Sequence, residues 1–379
     1  MSSSVADVPT SRGAAAPIGP PSRALSVTVV VPTYRERDNI PLLIERLAAV
    51  RAAGLDLELL LMDDDSQDGS DEFVASLALP WATLITRKTQ RGLSLAVLDG
   101  ILRSTRDVVV MDADLSHPPE KIPEMLDLLA GGAELAVGSR FSEGGSTAHD
   151  WGVFRWLNSR VATVLARPLT AIDDPMSGFF AIRRAVIMRS RNFDPIGYKI
   201  LLELIVRCNC RLIAQVPFHF DNRRFGSSKL SVREQLNYLR HLRRLYTLKF
   251  GTWSYLVQFL GVGLSGLFVN ILVLRVLLSR DVGEKIALAL AISISMVWNF
   301  ALNRRFSFSY ARDRSIVAQF LGFVAACSLG AAINYLTSLA LWRFFVHKEI
   351  AAACGVAAGT GFNFVASRYL VFRSKHLRP

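Results

Sequence analysis

Val108-Val109-Val110-Met111-Asp112-Ala113-Asp114-Leu115-Ser116-His117-Pro118-Pro119-Glu120 is the stretch on which the fold turns. Its four leading apolar residues, three of them β-branched, predict a buried parallel strand. The chain then leaves the strand with two carboxylates one residue apart. In open α/β sheets, ligands sit outside the carboxyl ends of the strands. Asp112 and Asp114 are hard oxygen donors at such an end, where a divalent cation could bridge them to a diphosphate. A solvated acidic turn is the competing reading of Asp-x-Asp alone, and the surrounding chain argues against it.

Upstream, Val27-Thr28-Val29-Val30-Val31 reads as a first strand, with Pro32-Thr33-Tyr34-Arg35-Glu36 as the loop at its carboxyl end. Asp38 or Asn39 can cap a helix that begins near Pro41 and buries Leu42, Leu43, Leu47 and Val50. Leu57-Glu58-Leu59-Leu60-Leu61-Met62 is a second strand ending in Asp63-Asp64-Asp65-Ser66-Gln67-Asp68-Gly69-Ser70. A short helix, a strand near Thr83–Thr86 and a helix around Leu93–Leu102 lead to the Val108 strand. Strands alternate with helices, so the sheet is expected to be mostly parallel. Acidic clusters at the ends of two neighbouring strands repel each other unless a cation or a ligand's donors lie between them. Asp63 and Asp64 suit a base or ribose, and Asp112 and Asp114 suit a metal on a diphosphate. No Gly-x-Gly-x-x-Gly and no Walker loop cradles a phosphate, so a metal is the expected charge neutraliser.

Composition divides the chain. Its 379 residues exceed one average domain, and 51% are hydrophobic. Mean hydropathy is +0.30. Long apolar runs begin at Leu256, after a part with ordinary globular patterning. The net charge of +12 clusters near those runs and points to anionic headgroups rather than nucleic acid. Cys208, Cys210, Cys327 and Cys354 have neither zinc nor disulfide spacing and read as reduced and structural. Residues 1–24, rich in Ser, Ala, Pro and Gly, lack the apolar core of a signal peptide. They read as a disordered tail that leaves the soluble domain on the side of synthesis.

Several motifs in order carry a family resemblance. Pro32-x-Tyr34-x-Glu36, Asp63-Asp64-x-Ser66-x-Asp68-Gly69, Arg91-Gly92-Leu93 and Met111-Asp112-Ala113-Asp114-Leu115-Ser116-His117-Pro118-Pro119 resemble the dolichol-phosphate mannose synthases. These are inverting glycosyltransferases of the nucleotide-diphospho-sugar-binding (GT-A) fold. The resemblance continues through Gly138-Ser139-Arg140-Phe141, Asp174-Pro175-Met176-Ser177-Gly178-Phe179-Phe180, Gly197-Tyr198-Lys199-Ile200-Leu201-Leu202-Glu203 and Arg224-Phe225-Gly226-Ser227-Ser228-Lys229-Leu230. It implies an α/β, Rossmann-like GT-A catalytic domain over 25–230. The implied donor is GDP-mannose and the implied acceptor a dolichyl or other polyprenyl phosphate. Pro32, Tyr34, Glu36, Asp63 and Asp64 would line the nucleotide pocket, with Ala113 and Asp114 beside it. Asp112 and Asp114 would hold Mg2+ or Mn2+, with Ser116 assisting through water, because a hydroxyl is a poorer ligand than the Gln of some relatives. Asp65 stands where related enzymes often carry Gly or Asn.

The later motifs fit phosphate chemistry. Arg140 and Arg224 are fork donors, and Lys229 adds a point charge. The tract 222–229 mixes cations, hydroxyls and Gly226, as a loop closing on phosphates would. Asp174 and Glu203 could orient the sugar or those cations. Trp151, Phe154 and Trp156 could meet a lipid, and His117, ahead of two prolines, is expected to shape its turn rather than act as a base. A lipid monophosphate is already anionic at neutral pH, so the site must supply position and charge neutralisation rather than a base. The catalytic set is therefore Asp112, Asp114, Arg140, Arg224 and Lys229.

Residues 231–250 interleave Leu236, Leu239, Leu242, Leu245 and Tyr246 with Arg233, Arg240, Arg243, Arg244 and Lys249, which predicts an interfacial helix. Four membrane spans follow in 251–379, near Tyr255–Leu278, Ile286–Leu302, Ile316–Trp342 and Ile350–Ala366. They form a repeat. Gln258-Phe259-Leu260-Gly261 recurs as Gln319-Phe320-Leu321-Gly322, Trp298-Asn299-Phe300 as Phe362-Asn363-Phe364, and Asn270 as Asn334. Amides inside apolar runs need partners, so these Asn residues are expected to join helices. The region resembles the four-helix GtrA-type membrane domain. Arg304, Arg305, Arg312 and Arg314 lie between spans two and three, and Arg368, Arg373, Lys375 and Arg378 follow span four. The positive-inside rule then sets both termini and the catalytic domain in the cytoplasm of a multi-pass protein. Transfer from UDP-glucose, and flipping of a lipid-linked sugar, are the rival functions.

Overall fold

The structure is a computed structural model and describes residues 26–147, 153–197, 199–220, 232–311, 315–342, 344 and 348–373. The chain divides into two units, Met1–Leu245 and Tyr246–Pro379. Among the described residues the first unit is built on β1 (Ser26–Thr33), β2 (Asp56–Asp63), β3 (Ala82–Thr86), β4 (Asp107–Val110), β5 (Leu135–Ser139), β6 (Ser146–Thr147), β7 (Phe180–Ile182), β8 (Ile213–Pro217) and β9 (His219–Phe220). The main sheet runs β3-β2-β1-β4-β7-β5-β8, and β6 pairs with β9. All neighbours in the main sheet are parallel except β7, which runs antiparallel to β4 and β5. The expected mostly parallel α/β sheet is therefore present, with one reversed strand in its middle. One expectation needs correction. β2 and β4 are not neighbours, because β1 lies between them. Their acidic ends are separated by two strand spacings, roughly 10 Å.

The strands are apolar on both faces because helices cover both. Val29 and Val31 of β1 join a core with Leu43 and Leu47 of α1 (Ile40–Ala52) and Met125 and Leu129 of α4 (Ile122–Ala130). Val30, one residue out of phase, joins the other core with Val97 and Ile101 of α3 (Leu93–Arg103) and Leu201 and Leu204 of α7 (Ile200–Arg207). Each fully buried aliphatic side chain stabilises by roughly 1.5–3 kcal/mol. The short α2 (Ser70–Ser76) follows β2, α5 (Val153–Ala166) precedes β7, and α6 (Arg184–Ile187) follows it. Asn39 stands at the start of α1 but does not cap it. Its Nδ2 donates instead to Glu36 Oε2 at 2.6 Å. The four cysteines are free, and burial raises the Cys208 thiol to about 11 and that of Cys210 to about 12.

α8 (Val232–Phe250) is the expected basic helix. Its apolar stripe splits: Leu242 and Leu245 are buried, whereas Leu236 and Leu239 are exposed. The Tyr238 hydroxyl donates to Ala162 O at 2.7 Å, and His241 Nε2 to Glu203 Oε2 at 2.9 Å. Glu203, fully buried on α7, also accepts from Asp194 N at 3.0 Å and from Arg207. Glu203 is thus the anchor that docks α8 on the catalytic unit. Burial pushes its pKa up, but the hydrogen bonds from His241, Asp194 N–H and Arg207 outweigh burial and hold it at about 2.

The second unit has two hairpins among its described residues. α9 (Thr252–Leu278) packs with α10 (Glu284–Leu302), and α11 (Ile316–Leu341) with α12 (Lys348–Ala366). All four helices are long and apolar enough to cross a membrane. The repeat seen in the sequence is structural. Both α10 and α12 run on into a π-helical turn, Asn303–Ser307 and Ser367–Val371. A side chain on Gly266 would land on the Asn299 amide, with Cγ at 2.5 Å, and one on Gly330 would meet Asn363 Cγ at the same distance. Asn270 Nδ2 reaches Ser295 Oγ at 3.5 Å, joining α9 to α10. The Asn residues therefore do join helices, two of them by lying on the bare backbone of a glycine.

Candidate active site

The loops that leave β1 to β4 carry the expected residues. Each also holds a non-glycine residue in the left-handed region: Arg35, Asp65 and Gln67, Gln90, and Leu115. Such a conformation costs about 1–2 kcal/mol per residue. Its recurrence along one sheet edge marks strain concentrated at a site.

The first group surrounds the ends of β1 and β2. Thr33 and Asp63 are register partners, so Thr33 Oγ1 donates to Asp63 Oδ1 at 3.1 Å. Ser66 N donates to Asp63 Oδ2 at 2.8 Å, and the Ser66 hydroxyl also binds Asp63. Arg35 N donates to Ser66 Oγ at 2.8 Å, which ties the Pro32–Glu36 loop to the acidic loop. Tyr34 is exposed under the Arg35 guanidinium, 5.4 Å from its ring centroid. Asp64 is buried against Arg87 and accepts from Gly92 N at 2.7 Å. Asp65 pairs with Arg91. Protein donors thus offset much of the negative charge at this strand end, which relaxes the expected repulsion between the two acidic clusters. Arg87 was missed in the sequence; its place directly after β3, at the same sheet edge, was the available signal.

The second group surrounds the end of β4. Leu115 turns the chain back so that Ser116 N and Oγ donate to Asp114 Oδ1 at 3.1 and 2.6 Å. Ser116 therefore orients Asp114. The Asp112 side chain is 31% exposed. Behind it, His117 Nδ1 accepts from Asp112 N at 2.9 Å. The imidazole stacks on Phe179 at 5.3 Å and meets Phe218 and Phe220 edge-on. Burial lowers its pKa, against Asp112 and Asp114, which raise it. A neutral ring accepting a backbone N–H shapes the turn, as expected. A Cβ on Gly178 would stand 3.3 Å from both Asp112 Oδ1 and His117 Cε1, so the glycine leaves room for the Asp112 carboxylate.

The cations meet this acidic turn. Arg140 Nε and Nη2 donate to the fully buried Asp174 at 2.7 and 2.8 Å, and Arg140 N donates at 3.2 Å. This two-pronged pair fixes the guanidinium plane. Lys199 Nζ donates to Met176 O at 3.1 Å. Burial, then Arg140, pushes Lys199 down to about 7, while Asp174 and Asp112 oppose the fall. Asp112, Asp114, Arg140, Asp174 and Lys199 thus belong to one electrostatic cluster. Lys199 lay inside a quoted motif with no role assigned, since nothing local in the sequence shows that a lysine will be buried. Glu203 is not in this cluster. Arg224, Lys229 and the 222–229 tract lie outside the described residues, as do Trp151 and the side chains of Phe154 and Trp156.

As a metal donor set, Asp112 and Asp114 offer hard oxygens of the type that hold Mg2+ or Mn2+ together with substrate phosphates. Among the described residues no group of three or more His, Cys, Asp and Glu is arranged to hold a metal. The two carboxylates have the donor chemistry for a cation that would take its remaining ligands from a diphosphate and water.

The chain is similar to known proteins over most of its length. The family model described as glycosyl transferase family 2 matches residues 28–190, and that described as GtrA/DPMS, transmembrane domain, matches 258–375. A dolichol-phosphate mannosyltransferase of Pyrococcus furiosus is 35% identical over 354 residues, covering 92% of this chain and 99% of that protein. The dolichol-phosphate mannosyltransferase of Saccharomyces cerevisiae is 39% identical over 240 residues, 60% of this chain and 90% of its own length. The polyprenol monophosphomannose synthase of Mycolicibacterium smegmatis is 36% identical over 229 residues, 57% of this chain and 84% of its own.

Proposed function

This chain belongs to the dolichol-phosphate mannosyltransferase family, and from that premise we propose that it transfers mannose from GDP-mannose to a dolichyl or polyprenyl phosphate with inversion. The observation that carries the reading is the meeting of an acidic turn with fixed cations at one sheet edge, Asp112 and Asp114 with Arg140 and Lys199. A donor diphosphate needs the first and an acceptor phosphate the second.

The loops after β1 and β2, with Pro32, Tyr34, Glu36, Asp63 and Asp64, hold the nucleoside. Asp112 and Asp114 face the diphosphate, with Ala113 between them and Ser116 orienting Asp114. Asp112 and Asp114 would hold a divalent cation, Mg2+ or Mn2+, which when bound would supply charge neutralisation for the diphosphate. Arg140, held by Asp174, and Lys199 orient the acceptor phosphate, and Arg224 and Lys229 join them. An oxygen of that phosphate attacks the anomeric carbon. The bond from that carbon to the donor diphosphate breaks, and its electron pair leaves with GDP. The acceptor is already anionic, so no side chain has to remove a proton. Attack from the face opposite the leaving group converts α-linked mannose to a β-linked mannosyl phospholipid.

The catalytic unit and both termini face the cytoplasm in this reading. Its support is the arginines that begin in the last turns of the second and fourth spans, at Arg304 and Arg368, and continue past them in the sequence. The test is product formation by the purified full chain with a polyprenyl phosphate and Mn2+, comparing GDP-mannose with UDP-glucose. Mannosyl transfer abolished by EDTA supports the reading. Transfer from UDP-glucose alone reverses the donor, and transfer from neither overturns the reading.

A further inference from the structure

The internal repeat of the membrane unit makes the same cleft twice, and the two copies differ. Phe364 of α12 meets Phe259 of α9 edge-on at 5.7 Å, and the corresponding Phe300 of α10 meets Phe320 of α11 edge-on at 5.1 Å. Phe308 and Phe372, also counterparts, stack on each other at 4.9 Å. In the α9–α12 copy, the Arg368 guanidinium lies 4.4 Å from the Tyr255 ring centroid and 5.3 Å from that of Tyr369. Two aromatic rings and an arginine pack together there.

In the α10–α11 copy the arginine is retained as Arg304, but the tyrosines are not. Aligning Ser254-Tyr255-Leu256-Val257-Gln258 with Ser315-Ile316-Val317-Ala318-Gln319 puts Ile316 in the place of Tyr255. Aligning Ser367-Arg368-Tyr369 with Asn303-Arg304-Arg305 puts Arg305 in the place of Tyr369. A groove of about 660 Å³ opens there, walled by Val297, Ala301, Ile316 and Val317 and carrying Arg304 and Arg305 at the helix ends. That volume lies within the range of ligand sites, about 300–1,000 Å³. Arg304 is anchored: its Nε donates to Gln319 Oε1 at 2.8 Å, and Gln319 Nε2 donates to Ala311 O at 2.8 Å.

We propose that the α10–α11 groove binds an anionic phospholipid, with its phosphate against Arg304 and Arg305 and an acyl chain along the apolar wall. Two features commit the groove to this occupant. Basic sites at the ends of spanning helices recruit anionic headgroups through charge complementarity. A groove with walls as exposed as those of Val297 and Val317 is also bathed by bulk phospholipid, which mass action favours over scarce lipids. The proposal does not depend on the identity of the sugar donor.

The test is native mass spectrometry of the full chain in neutral detergent, titrated separately with phosphatidylglycerol, phosphatidylcholine and farnesyl phosphate. The double variant Arg305→Tyr/Ile316→Tyr gives this cleft the aromatic residues that its twin already accommodates. Arg305→Gln, which removes charge without adding bulk, is the second variant. The expected result is one saturable phosphatidylglycerol, bound at least tenfold more tightly than phosphatidylcholine. Either variant should reduce that preference by about tenfold. Equal affinity for the two phospholipids, an unchanged preference in Arg305→Gln, or retention of farnesyl phosphate alone would each overturn the proposal.

Discussion

Asp174→Asn separates a positioning role for Asp174 from a passive one. The wild-type carboxylate is fully buried and receives Arg140 Nε at 2.7 Å, Nη2 at 2.8 Å and the Arg140 backbone N–H at 3.2 Å. Charge-assisted hydrogen bonds are about twice as strong as neutral ones. Asn keeps one acceptor oxygen and turns the other into an NH2 donor, so one of the two guanidinium bonds is lost and the remaining one no longer joins opposite charges, a loss of roughly 2 kcal/mol in total. Asp174→Ala, which leaves a nearly buried guanidinium without its counter-ion, should cost about 3–5 kcal/mol. For a unit of this size each kcal/mol moves Tm by roughly 2–4 °C, so the Asn variant should melt about 4–8 °C lower. The larger effect should be on turnover. A guanidinium released from a two-pronged clamp loses the placement that the acceptor phosphate needs, and a displacement near 1 Å costs about 10²-fold. Thermal unfolding and kcat/KM for mannosyl transfer, measured on the same preparation, check both numbers. Asp174→Asn with wild-type Tm and kcat/KM would refute the clamp.

Asp112→Ala and Asp114→Ala should each lower metal-dependent transfer by about 10² or more while circular dichroism stays unchanged, since the Asp112 side chain is partly exposed, its backbone N–H bond to His117 is kept by alanine, and Asp114 bonds within its own turn. Titration of transfer against Mn2+ in each variant checks this. Lys199, at about 7, carries its charge below that pH and loses it above. If the charged form receives the acceptor phosphate, kcat/KM should fall as pH rises through 7, and Lys199→Met should flatten that limb. A limb that persists in the variant assigns the titration elsewhere. Glu203, held at about 2 against an ordinary 4.5, has a depressed folded-state pKa. Its contribution, about 3 kcal/mol by linkage, is present above 4.5 and lost as pH falls toward 2. Glu203→Gln should therefore lower Tm at pH 7 and shrink the acid-induced loss between pH 4.5 and 2, both readable by scanning fluorimetry.

Much of the fold was legible because burial on two faces forces apolar strands. Val29, Val30 and Val31 could satisfy the two cores only as one strand between helix layers, and Val108, Val109 and Val110 likewise. β7 was not legible. Phe180, Ala181 and Ile182 make too short a run for periodicity, and the reversal that slots them between β4 and β5 depends on distant pairing. At the site, the carboxylates and Arg140 could be named because chemistry restricts the residue types that meet a diphosphate. Asp174 could be named as a residue able to orient one of the cations, and its two-pronged pair with Arg140 bears that out, whereas nothing in Arg87 announces that its opposite charge, Asp64, lies at the end of the neighbouring strand. The membrane repeat was visible through its asparagines, yet their seat on Gly266 and Gly330 appears only when helices are packed. The α8 stripe was read as one apolar face. The structure splits it because His241 is drawn inward to Glu203, which rotates Leu236 and Leu239 outward.

The central claim is direct displacement on the donor sugar by a lipid phosphate. The measurement that tests it most directly is the anomeric configuration of the product made by the purified full chain from GDP-α-mannose and a polyprenyl phosphate, read by NMR from the coupling at the anomeric carbon. The account requires a β-mannosyl phosphate, formed mole for mole with GDP. An α-linked product, or free mannose released without lipid product, would contradict it.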